Sequence, residues 1–445
     1  MQIKVVKFGG SSLADANQIK KAADIIKADS TRRYVVPSAP GKRFSDDIKV
    51  TDMLYKCFDL ASNGNDFSEV FEKIKERYRG IIAELGIDFS LEYEFDTIQK
   101  TLAEKPISDY AASRGEYLNG KIIANYLGFE FIDSADVIFF NESGSLDSEK
   151  TAKVLSERLK NTEYAVIPGF YGRGANGLVK TFSRGGSDVT GSIVANAVKA
   201  SIYENWTDVS GFLVCDPRIV ENPEVIQKIT YLELRELAYM GASVLHEEAI
   251  FPVRSAGIPI NIKNTNRPQD PGTLIVPDDM IDDEYIPYTI TGIAGKKGFS
   301  AINIRKELMN SEMGFCSDLL KVLVENDISL EHMPSSIDQL SVIVESKYLN
   351  DKKDKVISDI CSKVKPDDVE VEDGIALLAV VGRGMRKTRG TAARIFAALA
   401  HARINVKMID QGSSEMNIII GVSEDDFNEA VKCIYDVFVS SVIND

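Results

Sequence analysis

The sequence predicts a mixed α/β protein in which a large domain is followed by two copies of a smaller α/β module. In the first part of the chain, strand-like runs alternate with helical segments, as in IKVVKF, QIKKAADIIK and YVVPSAP. Alternation of this kind favours a sheet with helices on its faces. In the second part, the segments that begin at Gly314 and Gly390 align without a gap at an offset of 76 residues.

The large domain is predicted to span residues 1–280. Its later strands are expected in AVIPGF, ASIYENWTD and IPINIKN, with helical stretches between them. The segment NRPQDPGTLIVPDD (266–279) contains several prolines and indicates the end of this domain.

Each repeat is predicted to contain a strand, a helix preceded by glycine, two strands and an amphipathic helix such as FNEAVKCIYDVF. Equivalent apolar positions coincide in the two copies: Leu319 with Ile395, Leu323 with Leu399, Ile328 with Ile404, and Ile343 with Ile419. This βαββαβ plan predicts modules over 285–370 and 371–445, and a strand near 288–294 can belong to the second. A duplicated module of this kind suggests a sensor attached to a catalyst, or a structural repeat without a ligand.

Composition excludes several classes of function. The 445 residues carry a net charge of −15 without a Lys/Arg stripe, so neither nucleic acid nor an anionic membrane is an expected partner. The N-terminal MQIKVVKF indicates a strand rather than a signal peptide, and no apolar run approaches roughly 18 residues. Five scattered cysteines and three histidines provide no metal-ligand spacing and fit a reducing compartment. We therefore expect a cytoplasmic protein without a metal centre of its own.

The stretch KFGGSS is a candidate phosphate loop. Glycines at positions 9 and 10 would let backbone N–H groups approach an anion, and a following helix N-terminus would add partial positive charge. Lys7 could stabilise a phosphoryl group during its transfer. An ordinary tight turn is the alternative. No G-x-x-x-x-G-K-[ST] motif occurs, and YGRGANG precedes a strand-like run, which indicates a hairpin loop rather than a dinucleotide site.

A second strand, glycine pair and helix occur in TFSRGGSDVTGSIVANAV (181–198). Arg184 could bind a carboxylate through two parallel N–H···O hydrogen bonds, and Ser187 could complete that contact. Asp188 is either part of the site or simply a cap of the helix. Two such turns in one sheet would converge, because open α/β sheets bind ligands where these turns cluster.

Two further stretches carry candidate polar groups. ENWTDVSGFLVCDPRIV (204–220) offers Thr207 and Asp208 to a nucleoside edge and Arg218 to phosphates, or else it forms a surface loop with an Asx-turn. In SRGEYLNGKII (113–123), Glu116 would suit the ammonium group of a substrate. It could equally be a first-turn glutamate that favours the helix dipole.

Taken together, KFGGSS, KVTDML, RGE, SRGGSD, WTDVSG…DPR, MGASVLH and the doubled module resemble the aspartate kinases over nearly the whole chain. The resemblance implies a three-layer α/β/α amino-acid-kinase domain followed by two ferredoxin-like ACT modules. It also implies transfer of the γ-phosphoryl group of ATP, used with Mg²⁺, to the side-chain carboxylate of L-aspartate. The substrate is then the nucleophile, and no catalytic Ser/His or Cys/His arrangement is needed.

The same resemblance implies a role for each matching residue. Lys7 would stabilise the transferred group and Asp188 would organise the site. Glu116 would face the amino group of aspartate and Arg184 its α-carboxylate. The remaining substrate residues would be Ser38, Thr51 and Ser187. The nucleotide residues would be Gly9, Gly10, Ser11, Thr207, Asp208, Asp216 and Arg218.

The chain departs from the family pattern at a few positions. SRGGSD stands where GRGGSD is usual, and Leu213 stands where a tyrosine is common before DPR. MGASVLHE replaces FGAKVLHP, so Ser243 takes the place of a nucleotide-contacting lysine and Glu247 the place of a proline. Arg218 is then the cation that remains for the phosphates.

The segment ISLEHMPSSID (328–338) resembles the effector loop of lysine-inhibited aspartate kinases. The effector residues implied by this resemblance are Met309, Phe315, Ser329, Glu331 and Asp338. The repeat places Lys407 opposite Glu331, so a cationic amino acid would meet a like charge in the second copy. We therefore predict that L-lysine binds the first ACT module only. The second would serve assembly into a homodimer or homotetramer.

Two alternatives stay open. The chain could phosphorylate another small carboxylate such as glutamate, although the doubled module argues against it. It could also be an amino-acid sensor with an inactive kinase domain, which the joint presence of Lys7, Thr51, Glu116, Arg184 and Asp188 disfavours.

Overall fold

The computed structural model describes residues 2–183, 185–242, 247–281 and 289–440, and only the backbone of residues 247, 248 and 440. The chain forms two compact units. Unit 1 comprises residues 1–212, 225–231 and 244–281, and unit 2 comprises residues 213–224, 232–243 and 282–445. Unit 1 ends beside the boundary expected near 280, but two short segments of the first 280 residues belong to unit 2.

The strands of unit 1 are β1 (Lys4–Phe8), β2 (Arg32–Pro37), β3 (Glu130–Phe131), β4 (Ala165–Val166), β5 (Tyr171–Arg173), β6 (Val179–Thr181), β7 (Ile202–Thr207), β8 (Lys228–Thr230), β9 (Ile260–Asn264) and β10 (Thr273–Val276). Its helices are α1 (Ala16–Lys27), α2 (Val50–Ser62), α3 (Ser68–Leu85), α4 (Glu92–Glu104), α5 (Ser108–Leu127), α6 (Ser134–Val137), α7 (Ser148–Leu159), α8 (Gly186–Ala197) and, after α9 (Tyr231–Tyr239), α10 (Glu247–Ser255). Helix α9 begins in unit 1 and continues in unit 2.

Eight of these strands form one sheet in the order β3-β4-β2-β1-β7-β9-β10-β8. All neighbours are parallel except β9 and β10. Strands β5 and β6 form a separate antiparallel hairpin, as the glycine-rich loop between them predicts. The parallel centre brings the carboxyl ends of β1, β2 and β7 to one edge of the sheet.

Alternation along the central strands divides their side chains between two helical layers. Val6, Phe8 and Trp206 join the apolar cluster formed with α1–α5. Lys7 and Asn205 lie on the opposite face, against which α8 packs. The three-layer α/β/α arrangement expected for this domain is therefore confirmed.

Unit 2 contains one five-stranded antiparallel sheet in the order β12-β11-β13-β15-β14. Its strands are β11 (Gly292–Arg305), β12 (Gln339–Glu345), β13 (Asp368–Val381), β14 (Met408–Asp410) and β15 (Asn417–Ser423). Its helices are α11 (Phe315–Glu325), α12 (Ser346–Leu349), α13 (Lys353–Lys363), α14 (Thr391–His401) and α15 (Phe427–Tyr435), followed by a π-helical turn, Asp436–Ser440.

The two repeats share this sheet through its long central strands. Strands β11 and β13 have 14 residues each and pair antiparallel along their length, with irregularities between Lys296 and Ala301. The amino-terminal part of β11 lies opposite the carboxyl-terminal part of β13, which is the first strand of the second repeat. The expected boundary between residues 370 and 371 therefore falls inside β13. The predicted strand near 288–294 is seen from Gly292, whereas residues 282–288 lie outside the described residues.

No helix in the described ranges is both long and apolar enough to span a membrane. All five cysteines are free, as their scattered positions predict.

Candidate functional site

The residues that follow three central strands lie at one edge of the sheet of unit 1. Gly9 follows β1, Ser38 follows β2, and Thr207 ends β7. Helix α8 packs against all three strands. In an open parallel sheet this edge is where ligands bind, because strand ends, loops and helix N-termini meet there.

An ion pair at this edge joins Lys7 and Asp188. The Lys7 Nζ atom lies 2.6 Å from the Asp188 Oδ1 atom, and Lys7 is only 7% exposed. Gly185, not Asp188, occupies the N-cap position of α8, in a left-handed conformation with φ of 56°. The alternative of Asp188 as a helix cap is therefore wrong. Its carboxylate points to the strands.

Asn205 was not anticipated from the sequence, although it contacts both members of this pair. Its Nδ2 atom donates to Asp188 Oδ1 at 2.8 Å, and its Oδ1 atom accepts from Lys7 Nζ at 3.3 Å. Asn205 lies opposite Lys7 in the pairing of β1 with β7. A polar residue inside the strand IYENWT was the available signal, but its partners depend on the strand order.

The KFGGSS turn differs in part from its prediction. The Gly9 N–H donates to the Trp206 carbonyl oxygen at 2.9 Å, so in this conformation it is not available to a phosphate. The glycine pair leads into a single 3₁₀ turn, Ser11–Leu13, while α1 begins later with Asp15 as its cap. The helix that was expected after the loop is therefore present as α1, but a 3₁₀ turn separates its N-terminus from the glycine pair.

Gly10 allows the turn after β1 to contact the turn after β2. A Cβ atom on Gly10 would lie 3.0 Å from the Ala39 carbonyl oxygen, and one on Gly41 would lie 2.6 Å from the Gly10 carbonyl carbon. The Gly41 N–H also donates to the Gly10 carbonyl oxygen at 2.8 Å. Close backbone approach thus explains the second glycine of the pair.

Glu116 lies in the middle of α5, so its alternative as a first-turn residue is wrong. Its Oε2 atom is buried and has no hydrogen-bond partner. Burial raises the pKa of Glu116 to about 8, although the Ala39 N–H and the positive charge of Arg114 act in the opposite direction. A buried carboxylate oxygen without a partner is the kind of group that a ligand's ammonium can satisfy.

Small residues bring α5 against the turn that follows β2. A Cβ atom on Gly115 would lie 2.7 Å from the Cβ atom of Ala39. One turn further along, the Asn119 Nδ2 atom donates to the Ser38 carbonyl oxygen at 2.7 Å. Glu116 is thereby held beside the same turn as Ser38.

The other predicted substrate residues have separate positions in unit 1. Thr51 lies in the first turn of α2, and Ser187 in the first turn of α8. Ser187 packs closely on Gly169, where a Cβ atom would lie 2.5 Å from the Ser187 Oγ atom. Arg184 and Ser243 lie outside the described residues, as does the side chain of Glu247.

The predicted nucleotide residues fall in both units. In unit 1, the Thr207 Oγ1 atom donates to Asp208 Oδ1 at 3.2 Å. In unit 2, Asp216 accepts from the backbone N–H of Arg218 at 2.8 Å and also pairs with its guanidinium group. The Asx-turn considered for this stretch is therefore present, and the Arg218 side chain is 88% exposed.

In unit 2, Glu331 already has a hydrogen-bond donor. The Tyr239 hydroxyl group donates to Glu331 Oε2 at 2.5 Å, and Lys296 Nζ lies 5.7 Å from the centre of the Tyr239 ring. Burial and the Glu331 carboxylate raise the pKa of Tyr239 to about 12. Next to Glu331, the His332 Nδ1 atom lies 2.8 Å from Asp410 Oδ2 on β14, which ties the loop to the second repeat.

The remaining predicted effector residues differ from one another in burial and in their contacts. Met309 and Phe315 belong to the apolar core of the first repeat, whereas Ser329 is exposed. Asp338 accepts from the Leu308 N–H at 2.9 Å. In the second repeat, Lys407 forms an ion pair with Glu372.

Comparison with known proteins assigns the chain to a family. The amino acid kinase family matches residues 2–264, and the ACT domain matches residues 378–438. The chain belongs to the amino acid kinase family.

Its relatives define the class more narrowly. The chain is 40% identical to aspartokinase 3 of Bacillus subtilis, over 99% of this chain and all of that protein. The crystal structure of Clostridium acetobutylicum aspartate kinase is 55% identical with a TM-score of 0.90, over 98% of this chain and all of that one. A third match is the T-state structure of Escherichia coli aspartokinase III in complex with lysine and aspartate. It is 25% identical with a TM-score of 0.72, over 99% of this chain and all of that one. Within the family, the chain is an aspartate kinase.

Proposed function

We propose that this aspartate kinase transfers the γ-phosphoryl group of ATP to the side-chain carboxylate of L-aspartate through a site built around Lys7 and Asp188. One carboxylate oxygen attacks phosphorus, the bond to the β-phosphate oxygen breaks, and 4-phospho-L-aspartate and ADP result. The buried ion pair at the carboxyl edge of the sheet is the observation that carries this proposal. It keeps a cation where negative charge would develop on the transferred group.

The aspartate would bind across this edge. Glu116 would accept the substrate's ammonium group through its unpartnered oxygen. Arg184 would bind the α-carboxylate, and Ser38, Thr51 and Ser187 would surround the side chain. Gly10 and Ser11 would approach phosphate, joined by Gly9 if its N–H leaves the Trp206 carbonyl. Thr207, Asp208, Asp216 and Arg218 would contact the nucleotide.

Mg²⁺ would enter with ATP. The described residues contain no group of three or more His, Cys, Asp or Glu side chains that could hold a metal ion. Phosphate oxygens and water would therefore supply most of its ligands, as is usual for this ion, and it would neutralise phosphate charge.

The effector of the first ACT module is proposed to be L-lysine. Glu331 offers a carboxylate on a loop that is fixed to the second repeat through His332. Lys407 occupies the equivalent position of the second repeat, where it would repel a cationic side chain. Support also comes from the similar Escherichia coli enzyme, whose T-state structure is a complex with lysine. Inhibition requires that lysine prefer a state with poor substrate affinity, a coupling of about 1–3 kcal/mol.

Assembly through the ACT modules is proposed as well. Strand β14 is an edge strand of the unit 2 sheet, and its residue Ile409 is 51% exposed. An exposed apolar residue on a sheet edge favours pairing with another copy. Light scattering would distinguish the homodimer and homotetramer from a monomer.

The test of the catalytic assignment is Lys7→Ala. The variant should lower kcat by at least about 100-fold, because a cation that stabilises transferred charge acts mainly in the transition state. Lys4→Ala is the matched control on the same strand, since Lys4 pairs with Asp29 away from Asp188. Coupled assays with aspartate and with glutamate, each with and without lysine or threonine, would identify the acceptor and the effector. Normal turnover of Lys7→Ala would remove Lys7 from the mechanism.

A further inference from the structure

Asn205 occupies a position between the two groups that the proposed function makes catalytic. Three contacts form a closed triangle: Lys7 to Asp188 at 2.6 Å, Asn205 to Asp188 at 2.8 Å, and Lys7 to Asn205 at 3.3 Å. Asn205 is 2% exposed, so water does not compete freely for these contacts. The triangle therefore fixes the direction of both charged groups.

The chemistry of the partners determines which way the carboxamide faces. An ammonium group can only donate, and an ionised carboxylate can only accept. The Asn205 oxygen must therefore face Lys7, while its NH₂ group faces Asp188. No other orientation of the amide satisfies both neighbours.

A neutral bridging group also preserves the charge balance of the site. A carboxylate at position 205 would stand beside Asp188, and the two would tend to share a proton. An apolar side chain would leave Lys7 and Asp188 without a common partner. A carboxamide instead binds both groups at once and adds no charge.

The surrounding structure holds Asn205 in place. Its backbone lies in β7 directly opposite Lys7 in β1, in the parallel centre of the sheet. Two residues earlier on the same face, the Tyr203 hydroxyl group donates to the Asp188 backbone oxygen at 3.3 Å. The close approach of Tyr203 requires Gly191 in α8, where a Cβ atom would lie 2.4 Å from the Tyr203 Oη atom. Strand β7 thus positions both the backbone and the carboxylate of Asp188.

We propose that Asn205 is a positioning residue for phosphoryl transfer, which orients the Lys7 ammonium group and the Asp188 carboxylate relative to each other. The proposal rests on the proposed function, because it requires that Lys7 and Asp188 act on the transferred group. One ammonium hydrogen goes to Asp188 and one to Asn205, which leaves the third for a phosphoryl oxygen. Both contacts on Asp188 use Oδ1, so Oδ2 is left to other partners.

The test compares Asn205→Leu and Asn205→Asp with the unaltered enzyme. Asn205→Leu should lower kcat about 10–100-fold, the range typical of groups that orient functional side chains, with KM for aspartate and MgATP nearly unchanged. Asn205→Asp keeps the side-chain shape and should move the acidic limb of the kcat–pH profile to higher pH. A merely structural role would change the melting temperature but not this limb.

The matched control is Asn261→Leu. Asn261 lies on β9 opposite Glu204, so its side chain is on the other face of the sheet from Asn205. Its kcat should stay within about twofold of the unaltered enzyme, because its side chain faces away from Lys7. Circular dichroism would show that each variant is folded.

The outcomes separate this inference from the proposed function. If Lys7→Ala and Asp188→Asn both retain turnover, the proposed function fails, and the positioning role fails with it. If those two variants lose activity while Asn205→Leu keeps its kcat, only the positioning role is overturned. An unchanged pH profile in an active Asn205→Asp variant would overturn it as well.

Discussion

Two carboxylates, one in each unit, are proposed to receive an amino acid's ammonium group, and their surroundings differ. Glu116 of unit 1 is buried in α5 with one oxygen unpartnered, and burial raises its pKa to about 8. Glu331 of unit 2 lies on a loop and accepts a hydrogen bond from Tyr239. The Glu116 carboxyl group, proposed to bind the substrate, is thus already desolvated. The Glu331 carboxylate, proposed to bind the effector, must exchange a neutral hydrogen-bond donor for a charged one.

This difference has an energetic consequence. An ammonium group that reaches Glu116 interacts strongly with the ionised carboxylate, because the surroundings have a low dielectric constant. This interaction requires that the Glu116 carboxyl group be ionised. A ligand that reaches Glu331 replaces the Tyr239 hydroxyl group, so only the difference between two hydrogen bonds is gained. We therefore expect the loss of Glu116 to weaken aspartate binding more than the loss of Glu331 weakens effector binding.

The largest effect is expected for Glu116→Gln. The amide keeps the shape but removes the charge, so KM for aspartate should rise about 100-fold, in line with the roughly 3 kcal/mol lost when one member of a buried ion pair is removed. Steady-state kinetics would measure KM and kcat separately. Glu94→Gln is a control, because Glu94 already pairs with Lys121. An unchanged KM would exclude Glu116 from ammonium binding.

The next effect is expected for Glu331→Ala. The half-inhibiting lysine concentration should rise about tenfold, because only the excess of the charged hydrogen bond to lysine over the Tyr239 hydrogen bond is lost, while activity without lysine is retained. Lys407→Ala is the matched control at the equivalent position of the second repeat, and it should leave lysine inhibition unaltered. Unaltered inhibition in Glu331→Ala, measured in the same assay, would place the effector elsewhere.

A pH effect should accompany substrate binding. Below about pH 8 the carboxyl group of Glu116 is protonated in the free enzyme, so the ammonium group of aspartate meets a neutral partner. KM for aspartate should therefore fall as pH rises, about tenfold between roughly pH 7 and pH 9. Glu116→Gln should remove this dependence. A flat KM–pH profile in the unaltered enzyme would contradict the ionisation proposed for Glu116.

The smallest effect is expected for Tyr239→Phe. Without the hydroxyl group, Glu331 loses the donor that competes with the ligand, so the half-inhibiting lysine concentration should fall about threefold. Tyr348→Phe is a control at a partly exposed tyrosine of the same unit. A rise instead of a fall would mean that Tyr239 holds Glu331 in the conformation that lysine requires.

Much of the fold could be predicted from local sequence patterns, because strands and turns are determined largely by residues that are close together in the chain. Short strand-like runs indicated β1, β2, β7 and β9, and glycine pairs indicated the turns near Gly10 and Gly185. The offset between the repeats predicted two related modules in unit 2. What it could not show was that β11 and β13 are continuous strands shared by both repeats. Strand sharing depends on pairing between distant segments, which no local pattern encodes.

For the candidate site, the sequence pointed to individual residues but not to their surroundings. Lys7, Glu116 and Asp188 stand in recognisable motifs, and the structure places each at or beside the carboxyl edge of the sheet. The motifs gave no indication that Glu116 lies in the middle of its helix or that the Gly9 N–H is already bonded. Both depend on how α5 and β7 pack against the neighbouring turns.

The sequence by itself determined the α/β class, the internal repeat and the motifs that identify an aspartate kinase. Only the tertiary structure decided which polar groups meet: Asn205 with Lys7, 198 positions earlier in the chain, and Tyr239 with Glu331, 92 positions later. The physical reason is that periodicity and turn chemistry act over a few residues, whereas a contact between distant residues requires the strand order and register of a whole sheet.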